Sequence, residues 1–145
     1  MAHMRRQIRE AAAALLTGLA STGLRVYQSR VYPLRDSDMP CLLVSTDDES
    51  IQAEGIGAQQ LERTLRLTVR AVTKATANLD DTLDQMLAEV EVVLNGNRLG
   101  GLSLNTVPES ISIAMDDSLE KPAGVATLTY SITYFTAGSN PAAPL

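Results

Sequence analysis

The chain has 145 residues, 45% hydrophobic and 20% charged, the make-up of a soluble single-domain protein with enough core to fold unaided. Its formal charge of −5, with dispersed Lys and Arg and only 3% aromatics, excludes a free-standing nucleic-acid binder. The single cysteine excludes an internal disulfide, and no apolar run nears the roughly 18–20 residues a membrane-spanning helix needs.

Residues 1–3 read as a cloning remnant ahead of a native Met4, so His3, the only histidine, is expected to be foreign. Residues 4–19 read as an amphipathic helix with Met4, Ile8, Ala11, Leu15 and Leu19 along one face. Gly18 and Gly23 supply its stop, and its alanine content argues against a membrane-surface helix. Residues 24–28 suit a short strand, 30–35 an extended connector held by Pro33, and 36–40 a turn. Residues 41–45 then make a short inner strand, with Cys41 a small buried hydrophobe rather than a nucleophile. The acidic stretch 46–50 opens a loop or hairpin tip that runs through Gly55 and Gly57.

Residues 61–72 alternate clearly. Leu61, Arg63, Leu65, Leu67, Val69 and Ala71 share one side, interrupted only by Arg63, and the other side carries Arg66 and Arg70. A second helix follows, capped by Thr76 or Asn78, with Asp80, Asp81 and Asp84 suiting its positive N-terminal end. Its stripe is Leu79, Leu83, Met86, Leu87, Val90, Val93 and Leu94, and Asn95-Gly96-Asn97 ends it. Residues 102–107 and 110–115 make one strand kinked or bulged at Pro108, and 116–124 a turn. In the last strand, Leu128, Tyr130, Ile132 and Tyr134 face one way and Thr127, Thr129, Ser131 and Thr133 the other. Residues 137–145 have nothing to bury and are expected to be disordered. No internal repeat is present. The order predicts a single α+β domain over 4–136: a mainly antiparallel or mixed sheet with both helices on one face. Leu65, Leu67, Val69, Leu128, Tyr130 and Ile132 would meet the helices, leaving a free Thr/Ser/Arg face as the candidate for interaction.

Catalytic equipment is sparse. A Ser–His–Asp or Cys–His arrangement needs a histidine base, zinc sites need clustered Cys and His, and neither common glycine-rich phosphate loop occurs. Asp47, Asp48 and Glu49 lack the spacing of a calcium loop and read as a solvated loop or polar contact. No pair of carboxylates stands out for general acid–base work, which leaves a small enzyme or ligand-binding domain as the alternative from a different class. No cofactor and no metal are expected.

The segments Met39-Pro-Cys-Leu-Leu-Val44, Arg63-Thr-Leu-Arg-Leu-Thr-Val69, Leu79-Asp-Asp-Thr-Leu-Asp84 and Leu128-Thr-Tyr-Ser-Ile-Thr-Tyr134 occur in that order. Over most of residues 4–136 the chain resembles the tail terminator proteins of long-tailed phages, the family typified by the lambda minor tail protein U; the residues after Thr136 depart from that family's short ending. The resemblance implies a non-enzymatic virion protein that forms a hexameric ring on the head-proximal end of the tail tube. Such a ring stops tube polymerisation and provides the surface for head attachment. It implies as partners further copies of the chain (a monomer being allowed in isolation), the tail tube protein and head–tail connector proteins. DNA would pass through without specific binding, and no membrane is involved. The expected location is the virion tail, and the host cytoplasm during assembly. A connector, neck or tube component is the alternative within this class. Asp47, Asp48, Glu49, Arg66 and Arg70 are the expected subunit or tube contacts, with solvated strand positions the plainer reading of the arginines.

Overall fold

The structure is a computed structural model and describes residues 2–28, 38–55, 57, 59–74, 77–116 and 122–145. The connector expected at 30–35, part of the turn at 36–40, the Thr76 cap and the middle of the turn at 116–124 lie outside those residues.

In chain order the elements are α1 (Met4–Leu16), β1 (Val26–Tyr27), β2 (Cys41–Ala53), β3 (Gln60–Lys74) and α2 (Leu79–Leu94). A 3-10 turn at Leu99–Gly101 leads to β4 (Asn105–Asp116) and β5 (Ala123–Ala137). The five strands form one sheet in the order β1-β2-β3-β5-β4, antiparallel except where β1 runs parallel to β2. α1 lies over β2, and α2 over β3 and β5. This is the expected α+β arrangement.

Alternation builds the centre of the sheet. In β5 every even-numbered residue from Gly124 to Thr136 is buried and the odd-numbered ones are half-exposed. The β3–β5 ladder runs unbroken from Gln60 opposite Ala137 to Lys74 opposite Ala123. Leu65, Leu67, Val69, Leu128, Tyr130 and Ile132 all join the core under the helices, as the pattern requires. α2 closes over them with Leu83, Met86, Leu87, Val90 and Leu94. Asn78 makes no side-chain cap bond, so Asp80 and Asp81 act on the first turn through the helix dipole. Gly96, at φ +71°, ends α2. There the Tyr130 hydroxyl donates to Asn95 Oδ1 at 2.7 Å, fixing the helix end to the sheet.

Three local expectations change. α1 stops at Leu16, because the Thr17 hydroxyl donates to Ala13 O (2.8 Å) and Gly18 turns to φ +97°. Its buried residues are Met4, Ile8, Ala12, Ala13 and Leu16, so Leu15 faces outward instead. The acidic stretch 46–50 is not a loop. It belongs to β2, which stays paired with β3 out to Ala53, and beyond it Gly55 and Gly57 take positive φ. Finally, the helix-free face is not polar throughout. Cys41, Val72 and Ala123 form a second small apolar cluster there with Tyr27, Met39, Leu43 and Val125.

β4 carries the expected bulge between Pro108 and Ser110. It begins at Asn105, three residues later than predicted, where the Ser103 hydroxyl donates to Asn105 O and accepts from Asn105 N–H. Beyond β5 the chain crosses the start of α1. Met4 N–H donates to Pro141 O at 2.8 Å and the Gln7 amide to Ala142 O at 2.7 Å. The Pro141 carbonyl thus satisfies a backbone donor of the first helical turn, which has no intrahelical acceptor, and the Gln7 side chain ties the same turn to Ala142. His3 adds a cap, its Nδ1 accepting from Arg5 N–H at 3.0 Å.

Candidate interaction surface

The face of the sheet turned away from the helices is lined, across β4, β5 and β3, by Ser112, Thr127, Thr129, Thr68 and Arg70 among others. These are side chains that fit a pleated surface without demanding apolar cover. Arg66 stands on this face, exposed, with its guanidinium 3.4 Å from the exposed Asp48 carboxylate. Arg70 lies on the same face, half-buried, opposite Leu43 on one side and Thr127 on the other. Asp47 accepts from the Thr68 hydroxyl and, at 3.4 Å, from the Ser45 hydroxyl. The structure therefore brings Asp48 to Arg66 and Asp47 to Thr68.

Glu49 goes the other way. Thr46 pairs with Leu67 but Glu49 with Leu65, so β2 holds one extra residue over that interval. A regular strand would point Glu49 to the same side as Arg66. The bulge shifts the alternation by one and turns Glu49 under the helices, where its side chain is 2% exposed. Its carboxylate lies 3.1 Å from Arg63 Nη1, accepts the Tyr134 hydroxyl proton, and has Arg5 at 4.0 Å. Arg63, itself buried, also donates from Nε to Thr136 Oγ1 at 2.8 Å. Burial, and then the hydrogen bond to Glu49, push the Tyr134 hydroxyl pKa up, so the phenol stays a donor. Arg63 and Tyr134 were not singled out from sequence, although an arginine on the buried side of a strand signals the need for an acid partner.

A cavity of about 280 Å³ opens beside the bulge, lined by Arg5, Arg6 and Arg9 of α1 and by Thr46, Asp47 and Asp48 of β2. Its charges are largely matched: Arg6 Nε lies 2.7 Å from Glu10 and Arg5 faces Glu49. Cys41 is fully buried, and burial and then Asp38 push its thiol up to about 12, so at neutral pH it is a packing residue. Among the described residues no group of His, Cys, Asp and Glu is placed to hold a metal ion, and no helix is long and apolar enough to cross a membrane.

Compared with known proteins, residues 3–134 match the model of the family described as phage minor tail protein U. No curated protein matches the chain. Among solved structures, a chain of the virion of a native gene transfer agent (GTA) particle is 16% identical, with 90% of this chain and 92% of that one covered and a TM-score of 0.49.

Proposed function

We propose, for a chain that belongs to the phage minor tail protein U family, that it closes into a ring on the head-proximal end of the tail tube, ends tube growth and offers the surface to which the head attaches. The observation that carries this reading is the sheet with unlike sides: one covered by α1 and α2 over β2, β3 and β5, the other free of helices and carrying Arg66, Asp48 and Arg70. A tube elongates because the top of each ring repeats the surface that accepted it. A cap needs one side that fits the tube and another that offers no such repeat.

On this reading the protein acts by docking and not by catalysis. Asp47, Asp48, Arg66 and Arg70 make contacts to a neighbouring subunit or to the tube, while Glu49 holds the bulge that presents Asp47 and Asp48. Six copies closing a ring need a head-to-tail contact whose rotation returns to its start. Each such contact would bury on the order of 1,200–2,000 Å². A net-negative ring around passing DNA repels the duplex and leaves it free to slide.

The test is to add purified protein to growing tail tubes and follow tube length by electron microscopy. Arrested elongation with a ring at one end is the expected result. Unchanged growth, or long tubes assembled from this chain alone, would overturn the reading, the latter in favour of a tube subunit.

A further inference from the structure

We infer that β4 is the surface that receives the next copy of this chain, and that it seats on the groove between α2 and the turn after α1 of that copy. The inference rests on the ring reading and adds the contact that would close it.

The helix layer stops short of β4. α2 covers β3 and β5, but the residues that β4 sends to the same side meet no such cover. Ile111, Ile113 and Met115 are the cross-strand partners of Leu128, Ala126 and Gly124, which are all buried. They are core-type residues at core-side positions, yet each is about half exposed, at 49%, 48% and 51%. A row of this kind is more than a monomer needs. β4 is also a sheet edge, and its second half, residues 110–115, has no charge and no proline. Sheet edges that avoid partners carry such residues; this segment omits them.

Two features favour a second copy as the occupant. The first is charge. Copies carrying −5 each repel one another, and an uncharged ledge is where they approach at least cost.

The second is an unlike apolar surface elsewhere on the same chain. Between α2 and the turn after α1 lies a cavity of about 270 Å³ lined by Leu19, Ala88, Val92 and Val93 and by the polar Gln85 and Glu89, with Val92 86% exposed. Small residues make it concave, where the isoleucines and methionine of β4 project. The ledge belongs to the sheet edge and the groove to the helix layer, so joining one to the other brings unlike surfaces of two copies together. That is the head-to-tail contact from which rings are made.

Full-length Ile113→Cys and Val92→Cys chains, each with the buried Cys41 retained, are mixed and oxidised at high concentration, and each is also oxidised alone. The expected result is a covalent dimer only in the mixture. Ile113→Glu, a substitution at an exposed site, should leave the melting temperature unchanged. It should weaken self-association on tail tubes about tenfold or more, since a carboxylate docked there would be buried beside that of Glu89. Disulfide dimers of Ile113→Cys alone, or none in the mixture, would overturn the inference, as would Ile113→Glu rings equal to wild type. In that last case the terminator reading survives. If the mixture cross-links but wild type leaves tube growth unchanged, the terminator reading fails and the self-contact stands.

Discussion

Arg63 and Glu49 face each other at 3.1 Å across two neighbouring strands, on the side of the sheet that the helices cover, with side chains 8% and 2% exposed. Both partners are held further, Arg63 by Thr136 and Glu49 by Tyr134. Removing one member of a buried ion pair leaves the other charged and without its counter-charge. Arg63→Met or Glu49→Leu alone should therefore cost about 3–5 kcal/mol of stability in urea unfolding. The double variant should cost clearly less than the sum. Additive losses would show that the two residues act independently.

The exposed pair is expected to behave differently. Asp48 and Arg66 meet at 3.4 Å with more than half of each side chain in water, where solvent screens their attraction. Arg66→Glu should change stability by less than about 0.5 kcal/mol. If this face docks, the same substitution should lengthen tails in a tube-capping assay, and so should Arg70→Glu. Normal capping by both would remove them from the interface.

Glu89 sets an acid-side dependence. Burial acts to raise its carboxyl pKa, but the hydroxyl and backbone N–H of Ser21 and the amide of Gln85 outweigh it and hold the group below its ordinary value of 4.5. A carboxylate depressed on folding contributes its full stability above the unfolded pKa and loses it as pH falls through the folded one. Glu89→Gln should melt below wild type at pH 7, and the two melting curves should converge as pH falls below about 4.5. A gap that stays constant down to pH 3 would count against the Ser21 bond.

Gly124 is where α2 settles onto β5. A Cβ built there would come within 2.5 Å of Leu79 Cδ1, so Gly124→Ala should destabilise by about 1 kcal/mol through that clash. Leu79 is a side chain and can be shortened. In a Leu79→Ala background the same alanine should instead stabilise by about 0.5–1 kcal/mol, because glycine loses more freedom in a strand. The sign change is read from denaturation midpoints.

Much of this fold was legible because period and burial coincide in its longest elements. In β5 buried residues alternate with half-exposed ones, in β3 the alternating apolar side is buried throughout from Leu65 to Ala71, and in α2 the apolar residues recur at helical spacing. Pro108 announced its own bulge, since proline cannot donate to the ladder. The outer half of β2 was illegible for the converse reason. Asp47, Asp48 and Glu49 have low strand preference taken alone, and their strand comes from pairing with β3. The candidate site divides the same way. Arg66 and Arg70 follow from simple alternation, whereas the inward turn of Glu49 depends on an unannounced extra residue. The uncovered row on β4 was also hidden, because Ile111, Ile113 and Met115 resemble core and only the lateral extent of α2 exposes them.

The extra residue between Thr46 and Glu49 sets the reading frame of everything distal to it in β2. Deleting one residue from that interval would leave Glu49 opposite Leu65 in a regular ladder, still beside Arg63, with a single acid in place of Asp47 and Asp48. The bulge is thus the means by which two consecutive aspartates come out on one side of a strand whose other residues alternate. That constraint falls on chain length rather than on the identity of any side chain.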